Sequence, residues 1–166
     1  MGHADGLDDQ RGYKMNVCDI LRDNGQGAIT IVQTETVQTA INSFNTHKVS
    51  ALVVRDGHGN LSGIITERDI IHIIAARGAS GLSYRVEDVM TREVKTCKAT
   101  ASVSDVMGVM SRRRVRHVPV VESGELLGMI TSKDIIKYRL EERSVEVAVL
   151  RDVSSSLRAR SQGNGA

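Results

Sequence analysis

Between residues 37 and 44 the apolar positions are 37, 40, 41 and 44, and apolar residues at 103, 106, 107 and 110 match them, with Val109 added. Steps of three and four place such residues on one face of a helix, so each interval predicts an amphipathic helix. An unbroken aliphatic run follows each helix, Ala51–Val54 and Val118–Val121, and reads as a buried strand. The polar turns DGHGN and ESGE come next, with the glycines that hairpins favour. Second strands are predicted at Leu61–Thr66 and Leu126–Thr131, and a helix is predicted to begin at Asp69 and at Asp134. Around the latter junctions the chain reads GIITERDII from Gly63 and GMITSKDII from Gly128.

The repetition extends outward. VCDIL near Val17 and VEDVM near Val86 predict a short helix before each unit. Each unit therefore reads as short helix, short strand, helix, strand, strand, helix, an α/β pattern. A unit of about sixty residues buries little surface alone, so the two are expected to share a core. The predicted organisation is a polar tail at 1–14, repeats at 15–80 and 81–150, and a second polar tail at 151–166.

Composition narrows the function. Hydrophobic residues make up 40% of the chain but aromatics only 2%, so the core must be aliphatic. Few aromatic faces and a net charge of +2 argue against a base-stacking nucleic-acid binder. No apolar run approaches the roughly eighteen residues of a membrane span, and the start does not read as a secretory signal. Two cysteines, Cys18 and Cys97, make no disulfide framework; free thiols suit a cytoplasmic protein, and Cys97 reads as a small core residue. The five histidines lack zinc-type spacing, and no metal is expected. No catalytic triad or carboxylate pair is recognisable, so no catalytic residue is assigned.

The chemistry lies at the repeated Thr-x-x-Asp. Thr66 and Asp69, like Thr131 and Asp134, fit a helix cap with an acidic residue three positions on. A helix N-terminus also offers unpaired N–H groups and a positive dipole end, which favour phosphate. A carboxylate there can accept hydrogen bonds from ribose hydroxyls, and Arg68 or Lys133 can reach phosphates. The run SRRRVRHV, Ser111–Val118, fits cations at a helix C-terminus, a phosphate cleft or a nucleic-acid patch. In the helix after Asp69, residues Ile70, Ile71, Ile73, Ile74, Ala75 and Ala76 cover more than one face. Burial on both sides is expected, the second side against another subunit, which predicts a homodimer.

The doubled pattern, with KVSALVV and RVRHVPVVESGELLGMITSKDI, resembles a pair of CBS domains, named after cystathionine β-synthase, over roughly residues 17–138. The resemblance implies two CBS repeats packed with pseudo-two-fold symmetry and two clefts that take an adenosine-containing small molecule such as AMP, ATP or NAD. It implies one site from Thr66, Arg68 and Asp69 with Val94, Lys95, Arg114, Val115, His117 and Pro119. It implies a second from Thr131, Lys133 and Asp134 with Ile29, Thr30, Val49, Ser50 and Ala51. The first repeat departs from the fuller pattern, because Ala51 and Val53 stand where the second has His117 and Pro119.

The expected function is that of a stand-alone, bacterial-type regulatory sensor without catalysis or catalytic cofactor, acting through the dimer or an unknown partner protein. An interaction scaffold with unoccupied clefts, an enzyme acting on a nucleotide and a nucleic-acid binder are the readings left beside it.

Overall fold

The computed structural model describes residues 15–25, 27–141 and 143–144. Both expected tails and residues 145–150 lie outside the described residues. The first repeat contains α1 (Val17–Asn24), β1 (Thr30–Val32), α2 (Val37–His47), β2 (Ala51–Arg55), β3 (Leu61–Thr66) and α3 (Glu67–Arg77). A 3-10 turn at Gly78–Ser83 leads to α4 (Val86–Val89), α5 (Val103–Arg113), β4 (His117–Glu122) and β5 (Glu125–Thr131). Residues 132–141 are again helical. The two helices after the Thr-x-x-Asp threonines thus start two residues before the aspartates, directly after Thr66 and Thr131.

The amphipathic spacing read from the sequence is the observed one. Helix α2 buries Val37, Ala40 and Phe44, and α5 buries Val103, Val106 and Met110. Both hairpins form where their turns predict, with Ala51 opposite Thr66 and His117 opposite Thr131.

The short first strand is where the repeats diverge. In the first repeat β1 runs parallel to β2, pairing Thr30 with Val53 and Ile31 with Val54, and the Val53 N–H donates to the Ile29 carbonyl at 3.0 Å. In the second repeat only Cys97 bridges Val120. Pro119 occupies the position of Val53, two residues into its hairpin, and has no N–H to donate. The ladder loses that rung and contracts to two bonds, Cys97 N–H to Pro119 O at 3.1 Å and Val121 N–H to Cys97 O at 2.9 Å. With Cys97 in the place of Ile31, the residue aligned with Ile29 is Lys95, one beyond Val94.

The two cores do not follow the chain order of the repeats. Val17 and Ile20 of α1 are buried with Val103, Val106, Val118 and Ile130 of the second repeat. Val86 and the adjoining Met90 are buried with Val37, Leu52 and Ile65 of the first. Each short helix therefore packs on the opposite repeat. Backbone bonds fasten both exchanges in the same way: Val17 N–H to Ala101 O at 3.0 Å, and Val86 N–H to Glu35 O at 2.8 Å.

This packing accounts for the glycine that begins each repeated stretch. A Cβ on Gly63 would lie 2.5 Å from the sulfur of Met90 and 3.0 Å from the carbonyl oxygen of Thr91. A Cβ on Gly128 would lie 2.9 Å from a methyl of Leu21. Thr91 is bonded to Ile64 in both directions, so its carbonyl cannot retreat without breaking that bridge. Gly63→Ala is expected to lower stability by about 1–3 kcal/mol, the usual range for overpacking. Gly128→Ala is expected to cost less, because a half-buried leucine side chain can turn aside. Denaturant unfolding of the two variants checks this order.

Candidate functional site

Each Thr-x-x-Asp builds the same device. The Thr66 N–H and hydroxyl donate to Asp69 Oδ2 at 2.8 and 2.7 Å. The Thr131 N–H and hydroxyl donate to Asp134 Oδ2 at 2.8 and 2.6 Å. In the second repeat the Asp134 N–H also donates to Thr131 Oγ1 at 3.3 Å. The capping role read from the sequence is therefore real, and it occupies one carboxylate oxygen. None of these bonds uses Oδ1 of either aspartate, so capping leaves the second oxygen for other work. The first N–H of each helix is held by the residue before its partner strand's start: Glu67 N–H donates to Ser50 O at 3.2 Å, and Ser132 N–H to Arg116 O at 3.0 Å.

A cleft of about 470 Å³ joins the start of α3 to the end of α5. It is lined by Arg68 from the first repeat and by Met110, Ser111, Arg114, Val115 and Arg116 from the second. Of the residues expected around Asp69, it brings Arg68, Arg114 and Val115 to one wall. Arg116 joins them unassigned; its signal was its place in the arginine run.

Arg114 caps α5 in the left-handed region, at φ 54°, and Lys48 caps α2 at φ 55°. Such a conformation is uncommon for a side chain larger than Asn. Both repeats thus place a long cation at the same unfavourable spot, next to the negative end of a helix dipole. The helix-end reading of the arginine run is met at Arg114, which lines one cleft with Arg68 and Arg116.

The remaining expected residues divide by burial. Thr30, Lys95 and Lys133 are exposed, and Ile29, Val49 and Val94 are half-buried. Ala51 and Pro119 are fully buried and pack inside rather than lining open space. His117 and Ser50, assigned to different clefts, meet: His117 Nε2 is hydrogen-bonded to Ser50 Oγ at 3.1 Å. Burial holds the imidazole below its ordinary pKa, helped by Arg116 and opposed by Asp134 and Glu67. Burial pushes the Cys97 thiol up to about 11, which keeps it protonated and unreactive.

The described residues of the chain cover helix α3 on one side only. Within the chain only Ile70 is buried, with Ile73 and Ile74 packed against the core, while Ile71 is 65% exposed. Its counterpart Ile136 is 60% exposed, and Leu140 63%. Among the described residues, nothing covers the side of the helix that carries Ile71.

Among known proteins, the family model described as CBS domain matches residues 17–76 and 86–141. The CBS domain-containing protein CBSX3, mitochondrial, of Arabidopsis thaliana is 33% identical over 139 residues, 79% of this chain and 68% of that protein. The crystal structure of the CBS-domain containing protein ATU1752 from Agrobacterium tumefaciens is 35% identical with a TM-score of 0.74, over 78% of this chain and 96% of that one. The CBS domain pair of protein MJ0100, solved in complex with 5′-methylthioadenosine and S-adenosyl-L-methionine, is 30% identical with a TM-score of 0.68, over 77% of this chain and 98% of that one.

The depressed pKa of His117 fixes the sign of a pH effect. The unfolded chain takes up its proton near pH 6.5, before the folded chain does. Stability from this group is complete above that pH and is lost as pH falls from there through the lower folded value. Thermal melts between pH 7.5 and 5 should show this decline, and His117→Gln should flatten its part of the curve.

Proposed function

The chain belongs to the CBS-domain family, and from that premise we propose that it is a regulatory module that binds an adenine nucleotide and has no catalysis of its own. The observation that carries the reading is the cleft beside Arg68, Arg114 and Arg116, set at a helix start whose aspartate keeps one oxygen outside its cap. Its volume lies in the range of small-molecule sites. Asp69 Oδ1 suits the ribose hydroxyls, which donate, and the arginines suit phosphates, which accept. A related CBS pair holding adenosine compounds supports the same class of ligand.

The proposed ligand is AMP, ATP or NAD. Lys48 and Lys133 would serve the Asp134 cleft by the same symmetry. Arginine forks bind phosphate through two parallel bonds and lysine cannot, so longer phosphate chains should prefer the Asp69 cleft. We place the protein in the cytoplasm, a reading supported by two free thiols; among the described residues no helix is long and apolar enough to cross a membrane. Output through a partner protein would follow from a change in the packing of the repeats.

Calorimetry on ligand-stripped protein tests the site. Asp69→Asn is the informative variant, since an amide oxygen can still accept both Thr66 bonds while its NH₂ opposes a ribose donor. It is expected to weaken binding about tenfold or more at that cleft, the worth of a hydrogen bond to a charged group, with little loss of stability. Arg114→Ala should weaken ATP more than AMP. No heat from AMP, ATP or NAD would refute the proposal.

A homodimer is proposed through the open sides of the helices carrying Ile71, Ile136 and Leu140. Light scattering should give about twice the 18.1 kDa chain mass. Ile71→Glu combined with Ile136→Glu should yield a folded monomer, because both side chains are exposed within one chain and a charge there opposes only the interface.

A further inference from the structure

We infer that the hydrogen bond between Ser50 and His117 couples the two helix starts, so that what binds at one alters the other. The inference rests on the ligand reading above for the identity of what binds, and on geometry for the coupling itself. The Glu67 N–H, first in α3, donates to the Ser50 carbonyl at 3.2 Å. The Ser50 side chain meets His117 at 3.1 Å. Next to His117, the Arg116 carbonyl accepts from Ser132 N–H, first in the other helix, at 3.0 Å. Three hydrogen bonds through Ser50, His117 and Arg116 thus connect the helix that carries Asp69 to the helix that carries Asp134.

The connection has one copy. Under the pseudo-symmetry Ser50 corresponds to Arg116 and His117 to Ala51, and alanine has no polar group with which to form the second bond. The two helix starts therefore share a single asymmetric bridge rather than two equivalent ones. Arg116, Asp134 and Glu67 are the charged groups that act on the imidazole, and they come from both repeats. A ligand that draws in either helix start fixes the bridge, and the second ligand then finds it already ordered. The coupling is positive, by about fivefold or more in affinity, the lower end of ordinary allosteric coupling.

The first arm of the test uses the full chain without ligand. Amide hydrogen exchange at Glu67 and Ser132 is compared in wild type, Ser50→Ala and Ser50→Thr. Ser50→Ala should speed exchange at Ser132, in the other repeat, as well as at Glu67, and leave the core amides of Val54 and Val120 unchanged. Ser50→Thr keeps the hydroxyl and should restore both. Unchanged exchange at Ser132 in Ser50→Ala overturns the inference. The second arm titrates AMP into the same proteins. A stepwise pair of constants showing cooperativity in wild type and none in Ser50→Ala supports it; the same ratio in both overturns it. Coupled exchange with no AMP binding would uphold the bridge and remove the nucleotide reading instead.

Discussion

Helix α1 buries its apolar face in the core of the second repeat, and α4 with Met90 buries its own in the first. Every other feature is arranged around that exchange. A repeat here has a hairpin with one long helix before it and another after, which leaves part of the sheet uncovered. The borrowed helix closes that face. It also ties the two cores into one body, since neither is complete without a segment from the other side of the chain. The close approach has a strict steric condition, met by glycine at 63 and at 128.

The exchange also explains why the cleft at the start of α3 lies where it does. With both repeats locked side by side, the start of α3 comes to stand beside the end of α5, and cations from two distant stretches reach one space. The positive end of one helix dipole and the cations at the end of another then face the same volume. Neither repeat could assemble that field alone. The capping aspartates complete the arrangement by dividing their oxygens, one for the helix and one facing away from the cap.

Much of this was legible in the chain. Periodicity gave the helices, the aliphatic runs gave the hairpins, and the repeated Thr-x-x-Asp gave the helix starts to within two residues. Local patterns suffice there because the forces are local: a stripe of burial, a turn, a cap. What escaped was relational. The exchange of α1 and α4 leaves no trace in their own amphipathic spacing, which would serve either core. Pro119 was visible as a strand residue without an N–H, but its effect depended on which carbonyl lay opposite. Ser50 and His117 were divided between clefts, and only the packing of the two hairpins brings them together. Arg116 stood in the arginine run, yet which arginines shared a cleft depended on the turn of the chain after α5.

The exchanged helices also set an order in time. The core of the first repeat is complete once Met90 is available, so during synthesis it can close before the second hairpin exists. Helix α1 has no such option, because the carbonyl that accepts from Val17 belongs to Ala101 and the far side of its pocket to Ile130. Helix α1, made long before those partners, is thus among the last of the described elements to dock, with Val17 and Ile20 exposed in the meantime. Contacts so distant in sequence slow folding and leave apolar surface open to other chains. A nascent chain stalled before residue 130 would carry a finished first core and an unclaimed helix, a state for which a chaperone or a second nascent copy would compete.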